Sequence, residues 1–189
     1  MRIDDWKTFH ESLVIETPYA PYGEPVPIKP SVAQLDDFEK RTGFLLPRGY
    51  REYILEFGPG KLFSDWDIAA PGYRRLAKSW DLERMHSDIK PEGLLLEHSP
   101  EIHHDRMRRC FYFCRKYKDF YGWDPTEVCD SAAHEYAIYR VMEDGSVVRA
   151  GGSFREFVEG AADQILSEPD WDEEELGPRM TFEPAPKDD

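Results

Sequence analysis

The residues best suited to chemistry are a histidine group and three cysteines. His98, His103, His104 and Asp105 lie close together, and His134 follows later. A metal needs ligands that converge at fixed separation, such as histidines at i and i+4 on a helix. Adjacent His103 and His104 point to opposite sides of a strand, or about 100° apart on a helix, so the spacing argues against a metal centre. Cys129 and His134 are the types of a nucleophile–base pair, but the neighbours of Cys129 are acidic and nothing in view activates the thiol. Cys110 and Cys114 lack zinc-site spacing, and no second Cys/His pair matches them. Gly58-Pro59-Gly60-Lys61 lacks the Walker spacing of a phosphate loop. No catalytic residue, no metal and no cofactor are expected. Three cysteines, an odd number in 189 residues, make no disulfide framework. They read as free thiols in a reducing cytoplasm, and that is the expected location.

Charge points to binding. The chain holds 24 Lys+Arg against 38 Asp+Glu, a net charge of −14. A phosphate backbone and an anionic membrane both repel such a protein, so neither nucleic acid nor membrane is an expected partner. A basic protein partner is favoured. No run of 18 apolar residues exists to span a bilayer, and the acidic N-terminus has no apolar core of a secretory signal. Residues 106–118 carry Arg106, Arg108, Arg109, Arg115, Lys116 and Lys118 with no acid. Residues 119–135 carry Asp119, Asp124, Glu127, Asp130 and Glu135 with no base. Two readings stand: a bipolar surface whose acidic part grips a basic partner, or charges that solvate the ends of a buried strand. Tyr121 and Trp123 inside the acidic stretch are either interface anchors or core. Asp65, Trp66 and Asp67 repeat that acidic–aromatic pattern. Residues 171–175, Trp171 to Glu175, form either a phosphate-like acidic strand or a solubilising tail. The expected partner-binding residues are therefore Asp119, Tyr121, Trp123, Asp124, Glu127, Asp130, Asp65, Trp66 and Asp67. A competing nucleic-acid reading would use Phe111, Tyr112, Phe113 and Tyr117 as stacking platforms, but strand alternation already explains them as core.

The elements that must position these residues follow from periodicity. Residues 3–15 place Trp6, Phe9, Leu13 and Val14 at roughly helical spacing and read as an arm (1–17) docked on the domain. Five prolines between Pro18 and Pro30 mark an extended linker (18–30). Ser31 and Gln34 form a capping box, Leu35 and Phe38 an apolar face, and Gly43 a stop. Pro47 opens a second helix with Tyr50, Tyr53, Ile54 and Phe57 on one stripe. Residues 61–69 read as uneven strand. Residues 73–85 read as a helix presenting Leu76, Trp80 and Leu82. Residues 109–116 predict a central strand, apolar on both faces, with 120–123 as its hairpin partner. Residues 134–141 predict a strand, returning through Asp144-Gly145 to 147–150. Ser153 and Glu156 open a last helix with Phe154, Phe157, Val158, Ala161, Ala162 and Ile165 on its stripe. The domain spans 31–166, and its class is α+β. Residues 167–189 form an acidic, proline-containing tail that is expected to stay mostly unpacked.

The run SVAQLDDFEKRTGFLLPRGYREYILEFGPG resembles the opening of the SUKH superfamily. That group takes in yeast cell-wall-synthesis regulators and bacterial toxin-immunity proteins. Phe38-Glu39, Gly43, Leu46-Pro47, Tyr50-Arg51, Tyr53-Ile54 and Gly58/Gly60 carry the first part of the likeness. Residues 111–113, 119–124, 136–141 and the Ser153-Phe154-Arg155-Glu156-Phe157 helix start carry the rest in order. The resemblance implies a curved, mostly antiparallel sheet with helices packed around it, and no catalytic activity. It implies an immunity-type binding protein that neutralises a cognate toxin, a basic nuclease, by covering its active site. The alternative is an intracellular scaffold or regulator with no toxin partner. Oligomeric state stays open.

Overall fold

The computed structural model describes residues 1–16, 29–72, 80–89 and 99–185. The expected linker (18–30) falls almost wholly outside them. Helix α2 (Val32–Thr42) starts where the capping box places it: Ser31 Oγ accepts the Gln34 N–H, and the Gln34 side chain accepts the Ser31 N–H. Gly43 ends it in the left-handed conformation, φ 72°. Helix α3 (Arg48–Phe57) buries Tyr50, Tyr53, Ile54 and Phe57, all four stripe residues.

Strands β2 (Gly60–Leu62) and β3 (Trp66–Ile68) form a hairpin through Phe63 and Ser64, both at positive φ. Within the expected helix at 73–85, residues 73–79 lie outside the described ones. The helix that is described, α4 (Leu82–Ile89), starts later because Asp81 Oδ1 accepts the Arg84 N–H at 2.8 Å and caps it. Helix α5 (Glu101–Arg109) takes up Arg109, so the expected strand at 109–116 starts two residues later, at Phe111. Strands β4 (Phe111–Lys116), β5 (Asp119–Asp130), β6 (Glu135–Val141) and β7 (Val147–Gly151) then run as an antiparallel meander. Helix α6 (Phe154–Leu166) buries its whole predicted stripe against the sheet. Its Ser153 cap accepts the Glu156 N–H, but the Glu156 carboxylate turns to the Gly152 N–H, so the reciprocal half of the box is displaced by one residue.

Two expectations are corrected at the flanks. The arm is not one helix. Helix α1 (Trp6–Glu11) ends at Ser12, and β-branched Val14 and Ile15 form strand β1 (Val14–Ile15). The acidic tail is not left unpacked. After helix α7 (Glu173–Leu176), strand β8 (Thr181–Pro184) inserts between β1, parallel, and β2, antiparallel. The sheet order is β1-β8-β2-β3-β4-β5-β6-β7. Phe182 is 1% exposed and meets Phe57 at 5.1 Å, so the strand has both sheet pairing and a core site for its ring. Arg179 binds the carbonyls of Leu166 and Trp171, which fixes the path from α6 to β8.

The core is aromatic. Trp123 stacks on Phe113 at 4.0 Å, and Tyr53 on Phe57 at 4.4 Å. Trp6 of α1 packs edge-on against Tyr53 at 5.4 Å and closes the layer from outside. The architecture is α+β, with a mostly antiparallel sheet, as the sequence order implies. Among the described residues no helix is long and apolar enough to cross a membrane.

Candidate functional site

The nine residues expected to bind a partner fall into two groups. The aromatics are interior. Trp123 is fully buried, Trp66 is 1% exposed and Tyr121 4%. Trp123 lies against Phe113 and Tyr50, Tyr121 against Phe157, and Trp66 under the Lys116 ammonium at 3.8 Å. As surface anchors these three are corrected. Strand alternation turns their rings toward α3 and α6, and an anchor must reach a partner's surface. The same packing removes Tyr112 and Phe113 as stacking platforms, and Phe111 stacks between Phe44 and His86.

The acids are mostly engaged within the molecule. Both runs are engaged by neighbouring elements: the acids of β5 meet arginines of α5, β6 and β7, and the bases of β4 meet acids of β3 and of the turn before it. Asp124, its side chain 1% exposed, holds Arg109 at 3.0 Å, Arg106 at 3.6 Å and the Thr126 hydroxyl. Asp119 holds Arg140. Glu127 accepts from the Tyr139 hydroxyl at 2.6 Å and pairs with Arg149 and Arg106. Asp65 accepts from Tyr117 and pairs with Lys116, and Asp67 pairs with Arg115. Asp130 accepts the N–H groups of Ala132 and Ala133 and shapes the β5–β6 turn. The acids of the expected bipolar surface are therefore tied into ion pairs and a turn within the molecule.

A groove of about 430 Å³ lies elsewhere, between α2, α3 and the β5–β6 turn. Its residues come from a second stripe of α3: Arg48, Arg51, Glu52 and Leu55 fall at i, i+3, i+4 and i+7, facing away from the buried stripe. Asp36 and Glu39 of α2 form the facing wall, and Leu45 and Leu46 lie between the helices. Aromatic patterning and charge runs do not mark this site, whose lining holds no Phe, Tyr or Trp. The available signal was Leu55 on an otherwise charged stripe, with Leu45 beside it.

The turn that forms the third wall is fixed by backbone contacts. The Arg48 N–H donates to the Ala133 carbonyl at 2.9 Å, and Arg48 Nη2 to the Ala132 carbonyl at 3.0 Å. His134 sits at φ 52° beside it. Next in the chain, the buried Glu135 carboxylate accepts from Gly49 at 2.8 Å and from Phe154 at 3.0 Å, at the N-termini of α3 and α6. Helix α3 begins at Pro47 without a side-chain cap of its own, so Glu135 supplies that acceptor from a distant strand. Burial pushes the Glu135 carboxyl above its ordinary range, against the pull of those two N–H groups.

No hydrogen bond joins Cys129 to His134 among the described residues, and Cys129 Sγ lies 3.3 Å from Arg149 Nη2. Burial, with Asp124 nearby, pushes the Cys110 thiol up to about 12, and burial pushes Cys114 up as well. Neither is poised as a thiolate. His98 lies outside the described residues, and His103 and His104 ride on α5. Among the described residues no group of three or more His, Cys, Asp or Glu converges as a metal site.

A family model described as the SMI1 / KNR4 family (SUKH-1) matches residues 29–160. That span runs from just before α2 into α6 and contains the whole groove, while α1, β1 and β8 lie outside it. No curated protein and no solved structure matches the chain.

Proposed function

We propose, from the premise that this chain belongs to the SMI1 / KNR4 family (SUKH-1), that it is an immunity-type binding protein. Family membership is the observation that carries this reading. It supports immunity-type or regulator-type roles, both exercised by binding other proteins. The finer reading is that the cognate partner is a basic toxin, nuclease-like, whose active site this protein covers without breaking any bond. The net charge of −14 supports it, because opposite charge accelerates encounter with a basic partner. The groove beside α3 supplies a docking place that the buried aromatics of β5 do not.

The test is to co-express the protein with the product of the adjacent gene. Protection of the cells, and a complex that survives size-exclusion chromatography, are the expected results. Absence of both would defeat the immunity reading. The regulator reading is favoured by the family's own description, which names SMI1 and KNR4. Capture of housekeeping proteins in place of a toxin would select it.

A further inference from the structure

The groove between α2, α3 and the β5–β6 turn has a chemistry that says what kind of segment it takes. Its floor is aliphatic: Leu45, Leu46 and Leu55, with Ala132 and Ala133 at the side. Leu45 is 44% exposed, an open apolar surface inside a charged rim. A volume of about 430 Å³ lies in the range that seats a compact group of side chains rather than a single ion.

The rim charges are unequally engaged. Arg51 is held by Asp36 at 2.7 Å and Glu39 at 2.9 Å, and the other oxygen of Glu39 accepts the Leu46 N–H. Arg48 is turned to the Ala132 carbonyl. Two carboxylates on opposite walls keep capacity: Asp36, 61% exposed, and Glu52, 48% exposed with Arg155 at only 3.8 Å. Arg51 is thus drawn into the wall while Arg48 stays exposed beside the Ala132 carbonyl, and the three carboxylates of the lining, Asp36, Glu39 and Glu52, outnumber its two arginines. The turn is preformed by Asp130 and Arg48, so little ordering is needed on binding.

We propose that this groove receives a short segment of the partner protein in which an aliphatic side chain is flanked by lysine or arginine. The aliphatic group covers Leu45 and Leu55, and the flanking cations meet Asp36 and Glu52. This assignment rests on the protein-binding reading above and names the partner chemistry at that site.

The experiment titrates isotope-labelled full-length protein with three synthetic peptides of equal length, followed by amide chemical shifts. One carries a Leu-Leu core with Lys flanks, one Leu-Leu with Glu flanks, and one Ser-Ser with Lys flanks. The first is expected to give saturable shifts at Leu45, Leu55, Ala132 and Ala133, and the other two to bind about tenfold more weakly or less. Leu45→Glu, at an exposed site outside the core, is expected to weaken the first peptide about tenfold. Asp36→Asn and Glu52→Gln together are expected to reduce the salt dependence of binding. Equal binding of all three peptides, shifts that map elsewhere, or no binding would each overturn the assignment. A complex with the adjacent gene's product that is indifferent to Leu45→Glu would overturn the groove and leave the binding function standing. Peptide selectivity without any such complex would do the reverse.

Discussion

Asp124 and Glu135 are both buried carboxylates, 1% and 8% exposed, yet their surroundings move them in opposite directions. Burial raises both, but at Asp124 the hydrogen bonds from Arg109 and Thr126 win and hold it below its ordinary 3.8. The stability it contributes is full above that value and is lost as the pH falls through its lowered value in the fold. Asp124→Asn is expected to cost about 1.5–3 kcal/mol near neutral pH and to flatten acid unfolding below that point, measured by urea titration across pH. At Glu135 burial wins, so the native state holds its proton more tightly than the unfolded chain. Its contribution therefore weakens as the pH rises above its ordinary 4.5 toward its raised value. Glu135→Gln is expected to abolish that slope. It is also expected to cost about 1–3 kcal/mol, because an amide NH₂ then faces the Gly49 or Phe154 donor. Hydrogen exchange at those two amides checks the cause.

At the scale of elements, the neighbours that β4 and β5 meet decide what the charge runs mean. A basic run followed by an acidic run is a dipole along an extended chain, but in the fold each run meets other elements: Arg115 of β4 pairs with Asp67 of β3, Asp119 of β5 with Arg140 of β6, and Asp124 of β5 with Arg109 of α5. The strands themselves were legible, because alternation and the Asp144-Gly145 turn are local. Strand β8 was not, since a four-residue strand in an acidic segment is stabilised by its neighbours β1 and β2 rather than by its own pattern. Phe182→Ala is expected to cost about 3–5 kcal/mol in thermal or chemical unfolding. No change in stability would mean that the segment is dispensable to the sheet.

Over the whole molecule, the net charge of −14 acts at long range even though many individual carboxylates are paired. The rate of association with a basic partner is expected to fall about tenfold or more as salt is raised from low to physiological concentration, while the dissociation rate changes less. Stopped-flow kinetics on the co-expressed pair measures both. Equal rates across salt would remove steering from the mechanism while leaving docking by the groove.

The sequence alone determined the class, the caps of α2 and α6, the buried stripes of α3 and α6, the strands β4, β6 and β7, and only the 120–123 part of β5 (Asp119–Asp130). These are set by neighbours within a turn or a hairpin, where spacing and shape act directly. It did not determine which faces of those elements stay open. Trp123 and Trp66 could be placed on a strand but not inside or outside, since that depends on which helix lies over them. The groove exists because α2, α3 and a turn about 85 residues away meet at Arg48 and Ala133, joined by one backbone hydrogen bond. Only the tertiary structure decides that meeting, because burial and ion pairing depend on distance in space rather than along the chain.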